Sequence, residues 1–283
     1  MIRLAVRVPA EHAELVLAEL LELAPAGFEQ VDGDGFVEFA LYGAPGELPT
    51  LPSGPADIAG IHVEVSGSEV GDDWATRWRE FHRPAQIGHL HVRPPWTDRP
   101  TEGIDIVIDP AQAFGTGAHP TTRLSLELLL EVAAAHGGAL PPEAALPPTE
   151  AALPPLVDLG CGSGVLAIAA AKLGFAPVTA LDHDPAAVEA TLDNARANGV
   201  TLERVERYDL REQPAPVAPV MTANLMRPLL LRVALLLPEQ PETLIVSGLL
   251  EGEEDEVATA FSPLLERRRQ RLQGWSALLL TRP

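Results

Sequence analysis

Cysteine is nearly missing from this 283-residue chain: the single Cys161 excludes an internal disulfide and fits a reducing compartment such as the cytoplasm. No apolar run reaches the roughly 18 residues that span a bilayer. The nearest, PLLLRVALLLP at 228–238, is short and carries Arg232. Charges are spread through MIRLAVRVPAEHAEL, which reads as strand then helix rather than as a signal peptide. Basic residues are scarce as well. Twenty lysines and arginines face 40 acids, a formal charge of −20; such a field repels nucleic acid and anionic membrane and steers a basic partner inward. The imbalance is marked at residues 1–65, where eleven acids are opposed by Arg3 and Arg7 alone. That surface is either solubilising or a docking face for a cationic protein. The eight histidines are scattered without metal-ligand spacing, and His89 and His91 read as decoration of a solvated strand face.

What is abundant is apolar residue, 46% of the chain, ample for a packed core. IRLAVRV alternates as a half-buried strand; AEHAELVLAELLELA has helical spacing; FEQVDGDGFVEFALY is a hairpin around DGDG; IHVEVSG is a further strand. The stretch GAPGELPTLPSGPADIAG leaves room for a short second helix at best. This order predicts a small ferredoxin-like α+β domain over 1–67. A connection over 68–99 follows, with Trp74, Trp78 and Phe81 on one helical face and Trp96 beyond, the three tryptophans read as packing residues. In the remainder, 100–283, ALPP occurs three times within 138–156, an extended proline-rich inserted loop. From 156 onward strands alternate with helices, as in a doubly wound parallel sheet, and the tail RRQRLQGWSALLLTR reads as antiparallel strand. Its arginines 267, 268, 269 and 271 read as edge-strand protection rather than an RNA site.

Three motifs carry chemistry. In VDLGCGSGVLAIAAAKLG a strand ends at Asp158, turns through Gly160, Gly162 and Gly164, and enters a small-residue helix. Glycines permit sharp turns and close approach to a ligand, and a helix start offers free N–H groups. About twenty residues on, VTALDHD ends a strand at Asp182, where a carboxylate can accept both hydroxyls of a ribose. Asp184 reads instead as the cap of the next helix, before Pro185. Asp209 could face an adenine amino group or simply close a turn. MTANLMRPLL then places Asn224 at the C-terminal end of a strand, where open α/β sheets hold ligands. Its amide oxygen can accept a hydrogen bond from an amine without adding charge, which suits methyl transfer to nitrogen.

Upstream lies a second glycine-bearing loop, DPAQAFGTGAHPTT at 109–122. With DDWATRWREFHRPAQIGHLHVRPPW, IDIVIDP, the glycine loop, LDHDPAAVEATLDNARANGV and TANL, it resembles the bacterial PrmA family, which methylates the large-subunit ribosomal protein "L-eleven". The resemblance covers nearly the whole chain, and AFGTGAHPTT is its discriminating element. It implies a seven-stranded Rossmann-like class I methyltransferase domain behind a substrate-recognising N-terminal domain. It implies S-adenosylmethionine as donor, S-adenosylhomocysteine as product, and lysine side chains plus an N-terminal amine as acceptors. Carried over by motif, Thr122, Gly160, Asp182 and Asn224 contact the cofactor, with Phe114, Gly115, Asp158 and Gly162 beside them; Asn224 is also the expected catalytic residue. His119, held extended before Pro120, reads as structural. Three departures stand out: the ALPP insertion, a reduced second helix in the N-terminal domain, and a proline one residue early after Asn224. A cytoplasmic monomer, touching neither membrane nor nucleic acid, is expected. Alternatives are a methyltransferase of another protein or of a small amine, and a silent ribosome-associated binding protein of the same fold.

Overall fold

The alternation of IRLAVRV forms strand β1 (Ile2–Pro9) in the computed structural model, which describes residues 2–13, 15–17, 20, 29–33, 35–43, 54–58, 60–69, 83–110, 117, 119–137 and 152–283. The chain divides into two units, Met1–Phe81 and His82–Pro283. In the first, β2 (Glu29–Asp32), β3 (Phe36–Gly43), β4 (Gly54–Ile58) and β5 (Ile61–Glu69) join β1 in the order β2-β3-β1-β5-β4, every pairing antiparallel. One face of the sheet is apolar because side chains alternate. Leu4, Val6 and Val8 pack with Val37, Phe39, Leu41, Val63 and Val65, and the helical residues Val16 and Leu20 cover them. On the other face both arginines of β1 bind one carboxylate: Arg3 lies 2.6 Å and Arg7 2.9 Å from Glu38. Their hydrogen bonds, that of Arg3 foremost, hold Glu38 below its ordinary pKa.

The strands β2-β3-β1-β5 follow the ferredoxin-like order expected. The addition is β4, an edge strand inside the proline- and glycine-rich stretch where a short helix at best was expected. An edge position tolerates Pro55 because its missing N–H can face solvent rather than a ladder. Residues 44–53 lie outside the described residues, as do Trp74, Trp78 and Phe81.

The second unit is built on seven strands: β9 (Leu156–Leu159), β10 (Val178–Asp182), β11 (Arg204–Arg207), β12 (Val220–Asn224), β13 (Thr243–Leu250), β14 (Leu265–Leu272) and β15 (Trp275–Thr281). Their order is β11-β10-β9-β12-β13-β15-β14. The first five run parallel, and β15 inserts antiparallel to both its neighbours. Central strands are buried on both faces and so read as unbroken apolar runs. Leu156, Val178, Ala180, Val220 and Ile245 face one core, while Val157, Leu159, Leu181, Met221 and Val246 face another. Helices α1 (Pro120–Ala135), α2 (Val165–Leu173) and α3 (Pro185–Ala197) precede or follow β9 and β10; α4 (Arg227–Leu236) and α5 (Glu254–Ala260) follow β12 and β13. Leu124, Leu128, Leu129 and Val132 form the buried stripe of α1, each burial stabilising by about 2 kcal/mol.

Three details differ from expectation. His89 and His91 do not share one strand, because IGHLHVRPPW lies across a hairpin: β6 (Ala85–Ile87) turns through Gly88 and His89 into β7 (Leu90–Arg93), which pairs parallel with β8 (Ile104–Val107). His89 therefore leaves the solvated face, and burial lowers its pKa. The third ALPP copy is docked rather than looped. Leu153 is buried, donates its N–H to the Gly174 carbonyl and accepts from Ala176; residues 138–151 lie outside the described residues. The arginines of β14 do lie on an edge strand, and acids neutralise three of them: Arg268 pairs with Glu131, Arg269 with Asp255 and Glu266, and Arg271 with Glu254.

Candidate active site

Strand order reverses between β9 and β12, and the crevice at their C-terminal ends is where such sheets bind ligands. A pocket of about 210 Å³ opens there. Its floor is the glycine loop. Gly160, Gly162 and Gly164 have φ of +71°, +53° and +81°, a region closed to most side-chain-bearing residues. A Cβ on Gly160 would lie 2.3 Å from Leu225 Cδ2, and one on Gly164 2.8 Å from Thr191 Cγ2. The backbone N–H groups of Gly160 and Cys161 both donate to the Leu181 carbonyl, tying the loop to the end of β10.

Asp182 sits at that end, in the pocket wall. Its Oδ2 accepts from Gly162 N at 2.9 Å and its Oδ1 from Asp184 N at 3.1 Å. These bonds orient the carboxylate and leave it lone pairs for two hydroxyls. Asp184 is the cap of α3, accepting from Ala186 N at 2.9 Å. Asp209 also reaches the wall but is forked to Arg211, with 2.8 Å bonds from Nε and Nη2; that guanidinium holds its pKa down at about 2.

Thr122 enters from the other side, in the first turn of α1. Its Oγ1 is buried, lines the pocket and has no hydrogen-bond partner among the described residues. A buried hydroxyl without a partner is costly, so a ligand's polar atom is the group that satisfies it. The turn is held by His119, whose Nδ1 accepts from Thr121 N at 3.3 Å and lies 2.8 Å from Thr121 Oγ1. Burial lowers the His119 pKa to about 4, so the ring is neutral and serves as a helix cap. Phe114 and Gly115 fall outside the described residues. Gly117 is described, and its close approach is to β7: a Cβ there would lie 2.6 Å from Val92 Cγ1.

Asn224 ends β12 in the pocket wall, its side chain making no hydrogen bond to a described residue. Asp158 is not on the wall. It is fully buried behind the loop, Oδ1 accepting from Thr222 Oγ1 at 2.7 Å, and burial raises its pKa to about 7. The structure thus gathers Thr122, Gly160, Gly162, Asp182 and Asn224 around one pocket. Sequence reasoning missed Thr191, Asn194 and Ser247, buried polar residues that bind its loops. Their signal is faint: polar residues three apart on the inner face of a helix, and one serine inside an apolar strand.

A Rossmann-like seven-stranded sheet, a glycine loop and an acid after the second strand define the class: the chain is an S-adenosylmethionine-dependent methyltransferase. The family model for ribosomal protein L11 methyltransferase (PrmA) matches residues 56–283, and the chain belongs to that family. It is 37% identical over 219 residues to the ribosomal protein L11 methyltransferase of a Geobacter species, covering 75% of this chain and 68% of the relative. It is 37% identical over 222 residues to that of Edwardsiella ictaluri, covering 76% and 69%. A crystal structure of ribosomal protein L11 methylase from Lactobacillus delbrueckii subsp. bulgaricus superposes with a TM-score of 0.58 at 26% identity, over 71% of this chain and 99% of that one. The residues present fit the donor: a glycine floor that a Cβ would fill, a carboxylate for the ribose, and the buried Thr122 hydroxyl for a polar atom.

Proposed function

We propose that this chain methylates amines of ribosomal protein L11, lysine side chains and the N-terminal amine, in the cytoplasm and as a single chain. The observation that carries the reading is Asn224, a neutral amide lining the same pocket as the glycine loop. The donor, when bound, supplies an already activated methyl group. Thr122, Gly160, Gly162 and Asp182 bind and orient it, with Asp158 supporting the glycine loop from behind; Phe114 and Gly115 are assigned beside them on the motif alone. What remains for the protein is to present a neutral amine in line.

Neutrality is the harder half. A lysine of pKa 10.4 is unprotonated in only about 1 in 2,500 molecules at pH 7, a deficit of about 4.6 kcal/mol. Burial beside Leu225 and Leu229 disfavours the ammonium, and the Asn224 carbonyl accepts an N–H without adding the negative charge that would retain the proton. Orientation does the rest, since alignment of reacting groups replaces a bimolecular encounter. Recognition is assigned to the N-terminal domain, whose acidic surface complements a basic ribosomal protein.

The test is incubation of the purified chain with labelled S-adenosylmethionine and L11, followed by mass mapping of added methyls. Label on L11 lysines and its N-terminus is expected. No incorporation, with donor binding intact, would select the silent binding protein instead.

A further inference from the structure

One buried side chain ties the glycine loop under the donor pocket to a segment far upstream in the chain, just past the end of β8. Asn194, in α3, is 3% exposed. Its Nδ2 donates to the Ser163 carbonyl of the glycine loop at 2.9 Å. Its Oδ1 accepts from the backbone N–H of Asp109 at 3.0 Å, where the 109–122 segment begins. Donor and acceptor are both in use, so only one orientation of the amide satisfies the pair. One turn earlier on the same helix, Thr191 Oγ1 donates to the Gly162 carbonyl at 2.9 Å. Together the two side chains draw consecutive loop carbonyls back toward α3.

A loop whose three glycines all sit at positive φ has little conformational preference of its own. Its shape therefore depends on such external bonds. Neither of Asn194's bonds touches the reacting atoms, and the residue does not line the pocket.

We propose that Asn194 is a positioning residue that fixes the glycine loop against Asp109, just past the end of β8, and so governs donor affinity rather than the rate of transfer. The proposal rests on the reading of this pocket as the donor site. A neighbouring asparagine provides the control. Asn198 grips the same strand edge, accepting from Val107 N at 2.9 Å and donating to Val107 O at 2.6 Å, but has no bond to the glycine loop.

Asn194→Asp keeps an acceptor for Asp109 and loses the donor to Ser163. Asn194→Ala, which buries no charge, removes both bonds and serves if the first variant does not fold. Steady-state kinetics with S-adenosylmethionine and L11 should show KM for the donor raised about tenfold, the equivalent of one hydrogen bond, with kcat little changed. Asn198→Asp should lose thermal stability with donor KM unchanged. Unchanged donor KM in the folded Asn194 variants, or an equal rise in Asn198→Asp, would overturn the proposal. A wild-type chain that shows no saturable use of the donor would overturn the pocket assignment as well, an outcome separable from the first two.

Discussion

Asn224 and His119 show how a single side chain's charge state decides what the pocket can do. Replacing Asn224 by Asp keeps the shape and adds a negative charge where, on the proposed reading, the amine sheds a proton. We expect kcat/KM at pH 7 to fall about 10²-fold, measured by initial rates; wild-type turnover in Asn224→Asp would remove its role. His119 is neutral because burial lowers its pKa to about 4 from 6.5. The unfolded chain then binds more protons than the folded one between those values. Stability rises with pH across the window and is lost as pH falls through it, by on the order of 3 kcal/mol in full. His119→Asn keeps a capping acceptor but cannot titrate. Urea unfolding at pH 7 and 4.5 should therefore show a larger loss in wild type than in the variant. Asn224, Asp182 and the glycines were legible in the sequence because strand ends and glycine spacing are local signals. Thr191 and Asn194 were not, since their partners lie 29 and 31 residues away along the chain.

At the scale of an element, β13 carries a bulge where its register with β15 shifts between Ser247 and Leu249. Gly248 occupies it at φ +85°, and a Cβ there would lie 2.4 Å from the Leu225 carbonyl oxygen. Backbone cannot yield as a side-chain tip can. The bulge lets β13 approach the residue after Asn224, and Ser247 beside it donates to the Thr121 carbonyl at 3.0 Å, fastening the start of α1. Gly174, at φ +102°, caps α2 with only an ordinary 3.7 Å contact for an added Cβ. Gly174→Ala should thus cost about 1–2 kcal/mol, the left-handed penalty alone. Gly248→Ala should cost more, with a visibly lower Tm in the same thermal melt, because steric overlap adds to strain. Helices and core strands follow from periodicity, but β4 and the β6–β7 hairpin do not. Short edge and hairpin strands form because a neighbour offers a ladder, and proline and glycine disguise them.

For the whole molecule the deciding quantity is charge. Arg3 and Arg7 both bind Glu38, and three arginines of β14 are paired with acids, so these positive groups are spent internally. The net −20 then attracts a basic substrate over long range. Between about 20 and 200 mM salt, kcat/KM for L11 should fall about tenfold while kcat holds, because screening weakens encounter rather than chemistry. A salt-independent kcat/KM would mean that steering plays no part. No helix among the described residues is long and apolar enough to cross a membrane.

The sequence by itself determined the class of fold, the glycine loop and the asparagine at the end of its strand, because each is written in a short run of residues with its own backbone chemistry. It also determined the acidic balance, which is a sum over composition. Tertiary structure alone decided that Asp158 is buried behind the loop rather than on the wall, that the third ALPP copy is anchored, and that Asn194 ties the glycine loop to Asp109. Those facts depend on which distant segments meet, and hydrogen-bond partners tens of residues apart leave no periodic mark in the chain.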